Sequence, residues 1–166
     1  MRAAAGPEPG SITISVNRAP ALSSTLGQWK GHDDGGTPRE VPVVRLDDLV
    51  TARSMPGPYV VKVDVEGAEL RVLEGATRVL AETELVLLEV NLFEFLPGQP
   101  QLHDVVAFMK ERGFVTYDFY GGHLRLLDGA LAMTNMAFVR EDGMFRRSHD
   151  FATEAQARAM YEEWGF

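Results

Sequence analysis

The sequence has no cysteine, which excludes disulfides, thiolate metal sites and cysteine nucleophiles in one step. Basic residues are scarce: 16 Lys and Arg stand against 24 Asp and Glu, a formal net charge of -8. A chain of that charge repels phosphate backbones and offers no basic stripe for counterion release, so nucleic acid is excluded as a partner. No apolar run approaches the roughly 18 residues that span a bilayer, and residues 1–10 lack the apolar stretch of a signal peptide. The expectation is a cytoplasmic protein with no membrane partner. The four histidines (His32, His103, His123 and His149) form no i, i+4 pair, so no zinc site is expected. Ser23 and Ser24 lie in no Gly-x-Ser-x-Gly context.

At 166 residues and 45% hydrophobic content, what remains is enough for one compact core. Residues 1–10 read as loop and Ser11–Val16 alternates as a half-buried strand in a hairpin or at a sheet edge. Residues 17–40 are rich in Gly, Ser, Pro and Asp and read as a flexible loop, which divides the chain into 1–40 and 41–166. The run PVVRLDDLV reads as an extended piece followed by a short helix capped by Asp47 or Asp48. Tyr59–Val65 is β-branched enough for an inner strand, with a helix over 68–81 presenting Leu70, Leu73, Thr77 and Leu80 on one stripe.

Leu85–Asn91 reads as a central strand covered on both faces. A helix over 101–112 ends at Gly113 as a left-handed cap. Three strands follow, over Phe114–Tyr120, His123–Leu127 and Asn135–Arg140, the first two joined at Gly121-Gly122, and a terminal amphipathic helix covers 153–164. The order predicts an α/β sheet ending in an antiparallel excursion.

The chemistry concentrates in KVDVEGAE, residues 62–69. Alternate strand side chains share a face, so Lys62 and Asp64 stand together while Val61, Val63 and Val65 point the other way. Ligands of open α/β sheets bind beyond the carboxyl ends of the strands. Asp64 and Glu66 fall at that end; Gly67 permits the sharp turn, Glu69 lies in the first helical turn, and Glu89 and Asn91 end the next strand. The bland alternative is an ion pair of Lys62 and Asp64 on an edge strand, with Glu66 and Glu69 merely opening a helix. Phe93, Phe95 and Tyr120 are candidates for walling an acceptor pocket.

The run KVDVEGAELRVLEGA followed by LVLLEVN resembles the signature of the FkbM-family methyltransferases, and GSITISVN, ALSSTL, VVRLDDLV and TNMAFVRED resemble further pieces of that family. The resemblance implies a Rossmann-like class I methyltransferase sheet whose last strand is antiparallel, S-adenosylmethionine over the strand ends, and methyl transfer to a hydroxyl of a sugar, polyketide or other small natural product. It implies that Asp64 and Glu66 line the active-site crevice with Glu89 at the next strand end. On that footing Asp64, Glu66 and Lys62 are the catalytic candidates, with Asp64 or Glu66 as base. Asp64 and Glu89 are the cofactor-binding candidates, and Asn91, Phe93 and Glu69 the substrate-binding ones. No resident metal is expected, although Asp64, Glu66 and Glu89 offer oxygens that suit Mg²⁺.

The resemblance starts late in the family's pattern. No Gly-x-Gly occurs in the chain, and the family's first two strands have no counterpart. The expected fold is therefore truncated at its N-terminal side, a shortened gene model being the simplest cause, and strand 59–65 is left as an edge that a second copy or another chain covers, or to which the segment 11–16 is redeployed. Two other functions stand beside methyl transfer: a non-catalytic binding or dimerisation module, and a metal-assisted hydrolase using Asp64, Glu66 and Glu89.

Overall fold

The computed structural model describes residues 2–16 and 36–165, so the Ser-rich segment, Asn17, His32 and the Gly-rich stretch before Gly36 lie outside the described residues. A small sheet comes first. Strand β1 (Ala4–Ala5) pairs in parallel with β3 (Thr37–Val44), and β2 (Gly10–Val16) pairs antiparallel with β3 on its other side. Ser11–Val16 is thus the edge strand its alternation predicts. The loop expected over 17–40 ends earlier, because β3 begins at Thr37 and crosses residue 40.

The second sheet has the order β4-β5-β7-β6, built from β4 (Tyr59–Val63), β5 (Thr83–Asn91), β6 (Phe114–Leu124) and β7 (Leu131–Arg140). Strands β4 and β5 are parallel, while β7 runs antiparallel between β5 and β6, so the antiparallel ending expected from the strand order is present. Strand β4 is not an inner strand: it lies at the edge, and it stops at Val63 rather than Val65. Strand β5 is central, as its apolar content predicts, but cover is uneven. Val86, Leu88 and Val90 are buried on one face, whereas the face shared by Val60, Lys62, Leu85 and Leu87 opens toward β4, where Val60 is 66% exposed.

The segment 68–81 is two helices, α2 (Glu69–Glu74) and α3 (Thr77–Ala81), not one. The break falls at a close crossing. A Cβ on Gly75 would lie 2.0 Å from the Gly6 carbonyl oxygen, so the N-terminal loop crosses the helix where only glycine fits. The break also rotates the stripe: Val72, Leu73, Ala76, Val79 and Leu80 are buried, and Thr77 is exposed. These residues meet Val63, Val86, Leu88, Met136 and Phe138 of the sheet, together with Val105 and Met109 of α4 (Leu102–Glu111), in one core. Each such side chain contributes about 1.5–3 kcal/mol of transfer free energy.

Helix α1 (Leu46–Ala52) has no side-chain cap of its own, contrary to the expectation for Asp47 and Asp48. The buried Asp47 instead accepts hydrogen bonds from the backbone N–H groups of Arg78 and Val79, both at 3.0 Å, and so caps α3 from another helix. Gly121-Gly122 is not the hairpin turn. Strand β6 continues through it with register shifts, and the turn is closed later by the Arg125 N–H on the Ala130 carbonyl. The last helix, α5 (Glu154–Trp164), is where the sequence places it, between a Thr153/Gln156 capping box and Gly165 at φ 78. No helix among the described residues is long and apolar enough to cross a membrane.

Removing the Asp47 carboxylate strands two buried N–H groups at the start of α3. Asp47→Ala should therefore lower unfolding stability by about 2 kcal/mol in urea titration, while Asp47→Asn, which keeps an acceptor oxygen, should recover more than half of it. Equal losses in both variants would remove the capping assignment.

Candidate functional site

Beyond Val63 the chain passes through Asp64 and Val65 and then takes two left-handed steps, Glu66 at φ 53 and Gly67 at φ 97. The second is free for glycine; the first costs a side-chain-bearing residue about 1–2 kcal/mol. Glu69 holds the turn closed. It is buried in the first turn of α2, and its Oε1 accepts from the N–H of Gly67 at 3.0 Å and of Val65 at 3.2 Å. Burial pushes the Glu69 carboxyl above its usual range, and the Gly67 hydrogen bond pulls it partly back. Expected beside a substrate, Glu69 spends that oxygen on the backbone that positions its neighbours.

The turn delivers Glu66 to two other acids. Asp64, Glu66 and Glu89 each bring a carboxylate oxygen into one group, all within 4.8 Å of one another. Sheet register explains the meeting: Lys62 pairs with Leu87 and Val63 with Leu88, so the next step places Asp64 alongside Glu89 at the carboxyl ends of β4 and β5. Lys62 donates to Asp64 Oδ2 at 2.7 Å with both side chains exposed, which is the edge-strand ion pair of the bland reading. The acids beyond it are more than helix openers. Glu66 is half-buried and its carboxyl is pushed up to about 7, first by burial and then by the charges of Glu89, Asp64 and Glu69. Burial and the Asp64 charge also raise Glu89, while His123 and Lys62 act against them. The hydrogen bond to Asp64 raises the Lys62 ammonium.

Strand β7 extends the row: Glu89 pairs with Asn135, and Asn135 pairs with Tyr120 of β6. Asn91 and His123 follow one step along, both paired with Met133. Asn91 is buried at the tip of β5, where it also bridges to Gln101. Phe93 lies in the following loop against Phe95, with ring centroids 5.9 Å apart, and the Arg125 guanidinium stacks 4.3 Å from the Phe93 centroid. Arg125 is itself pinned by Asp128 through Nε at 3.0 Å. The sequence reading missed Asn135, His123 and Arg125 as site residues, and it considered Tyr120 only as a pocket wall. The signal was the strand near the C-terminus, whose return between β5 and β6 sets Asn135 and Tyr120 in register with Glu89 and brings His123 within reach of its charge.

A model of the methyltransferase FkbM domain matches residues 1–116, well over half of the chain. The chain belongs to that family. A hexuronic acid methyltransferase, AglP, from Haloferax volcanii is 49% identical over 81 residues, which is 49% of this chain and 33% of AglP. The chain thus spans about a third of the length of this curated relative. No solved structure matches it.

The raised Glu66 carboxyl ties the site to stability. A folded-state value of about 7 against an ordinary 4.5 means that the folded protein holds this proton more tightly than the unfolded chain. The favourable contribution is complete below the ordinary value and is lost as pH rises through about 7. The thermal midpoint should therefore fall between pH about 5 and about 8, and Glu66→Gln should flatten that slope. An unchanged slope in Glu66→Gln would show that Glu66 does not titrate there.

Proposed function

We propose that the chain carries the acceptor side of an S-adenosylmethionine-dependent O-methyltransferase, with Asp64, Glu66 and Glu89 converging on the hydroxyl that receives the methyl group. The observation that supports this most is Glu66: a half-buried carboxylate held in a left-handed turn, beside two other acids and raised to about 7. Strain and perturbed acidity gathered at one strand end are characteristic of functional sites. Membership of the family supports methyl transfer, and the hexuronic acid named for AglP supports a sugar as acceptor.

S-adenosylmethionine would supply an electrophilic methyl group on a sulfonium cation. The carboxylates of Asp64 and Glu89 suit that cation and its ribose hydroxyls. The chain has no Gly-x-Gly, and the described residues offer no glycine-rich turn to bring backbone N–H groups to the molecule's own carboxylate. The fit is thus to one side of the molecule, and the chain's contribution is derived from its own residues.

Glu66 is the general base. A carboxylate near 7 takes a hydroxyl proton at neutral pH better than an ordinary one, and it is already half withdrawn from water. Lys62 fixes the orientation of Asp64. Asn135 and Tyr120, in register with Glu89, supply donors and acceptors for neighbouring hydroxyls. An acceptor carboxylate would be repelled by the three acids and drawn to the Arg125 side, over Phe93. A hexuronate would then lie with its carboxylate toward Arg125 and a ring hydroxyl toward Glu66. Glu69 is a positioning residue for the turn.

The test is transfer of labelled methyl from S-adenosylmethionine to a panel of hexuronate and neutral sugars, with chelator present to exclude a metal-assisted reaction. Transfer should rise with pH through about 7 and fall about 10²–10⁴-fold in Glu66→Gln. A variant that keeps full activity removes Glu66 as base. Absence of both transfer and calorimetric binding of S-adenosylhomocysteine leaves the non-catalytic binding module as the reading.

A further inference from the structure

The glycine pair of β6 changes which side chains reach the acids. Tyr120 opposes Asn135 and His123 opposes Met133, so Gly121 and Gly122 together face the single residue Thr134, the two-against-one count of a β-bulge. Gly121 takes the left-handed conformation, φ 64, that such a bulge favours, and the buried Thr134 hydroxyl donates to its carbonyl at 3.0 Å. Gly122 is crowded as well: a Cβ there would lie 3.0 Å from Leu131 Cδ1. On a regular strand His123, three residues after Tyr120, would point to the other side of the sheet, with the buried Thr134 and Met136. The bulge reverses that. Asn135 and Met133 are two apart on a strand that is regular against β5, so their partners Tyr120 and His123 share one face, which is the face of Glu89 and Asn91.

Two rows therefore cross the sheet at this end: Glu89, Asn135 and Tyr120, then Asn91, Met133 and His123. The acids close one side, and Tyr120 and His123 close the other. Strands β4 and β6 are three spacings apart, roughly 14 Å, and the side chains of both edges reach inward across that gap. His123 acts on the charge of Glu89, and Tyr120 on that of Lys62. The Asn135 amide nitrogen lies on the floor between them, 3.5 Å from where a Gly121 Cβ would stand.

We propose that His123, carried to the acid face by the Gly121-Gly122 bulge, binds a ring hydroxyl of the sugar acceptor and so decides which other hydroxyl meets Glu66. The inference rests on the reading of Glu66 as the base for a sugar hydroxyl. Ionised carboxylates only accept hydrogen bonds, so a ring held by the acids alone could turn and present several of its hydroxyls equally well. An imidazole both donates and accepts, and a contact from the opposite side removes that freedom.

The chain has four histidines, so imidazole NMR signals report directly on this contact. Adding a hexuronate or a neutral hexose should shift one imidazole signal, the one missing from His123→Ala, and leave the other three in place. In the transfer assay His123→Ala should raise KM for the sugar about 10-fold, change kcat less, and spread the methyl group over more than one hydroxyl. His123→Asn, which keeps a donor and an acceptor, should restore a single product, and His103→Ala, exposed on α4, should behave like the unmodified chain. A sugar-induced shift without methyl transfer supports the His123 contact and removes the proposed reaction. A His123 signal that no sugar moves, or an unaltered KM and a single product in His123→Ala, overturns the contact even where methyl transfer is intact.

Discussion

The site depends on the closed turn at residues 65–69. Two left-handed residues in succession convert an outgoing strand into a returning helix, and Glu69 pays for the conversion by accepting the N–H groups of Val65 and Gly67. Charge-assisted hydrogen bonds of this kind contribute about 1.5–3 kcal/mol each, enough to offset about 1–2 kcal/mol of strain at Glu66. Without the brace, the backbone at Glu66 would relax toward ordinary dihedral angles and its carboxylate would leave the neighbourhood of Asp64 and Glu89. The buried acid of the motif thus braces the turn, and the strained, half-buried one is carried beside Asp64 and Glu89.

The arrangement is electrostatically unfavourable by itself. Three carboxylates each bring an oxygen within 4.8 Å of the others, and the Lys62 ammonium is hydrogen-bonded to Asp64. Burial first, and then the mutual repulsion of the acids, raises the Glu66 and Glu89 carboxyls above the ordinary range. A ligand that donates hydrogen bonds or carries positive charge relieves this repulsion, whereas an anion aggravates it. The same balance therefore bears both on which ligands the acids favour and on their protonation, and neither property can be altered alone.

Much of this was legible in the sequence because it rests on local rules. Alternation placed Lys62 and Asp64 on one face, glycine marked the turn at Gly67, and the carboxyl-end rule joined Asp64 and Glu66 to Glu89. The failures came from contacts between distant segments. The helix break falls where Gly75 packs against the Gly6 carbonyl, and the cap of α3 comes from Asp47, some thirty residues earlier; no local periodicity contains either. The glycine pair at 121–122 looked like a turn because two adjacent glycines usually are one. Here they allow β6 to shift register against β7, and the misplaced hairpin hid the row from Glu89 through Asn135 to Tyr120.

The position of the site on an edge strand links its chemistry to the sheet's exposure. Charged side chains directed outward are a common protection for a sheet edge, and Lys62 is the only charge β4 has for that purpose. Its hydrogen bond to Asp64 turns that charge toward the acidic cluster instead. An ammonium turned onto Asp64 leaves Val60 beside it 66% exposed. One cation cannot serve both places. The geometry assigns it to the acidic cluster, where it balances Asp64.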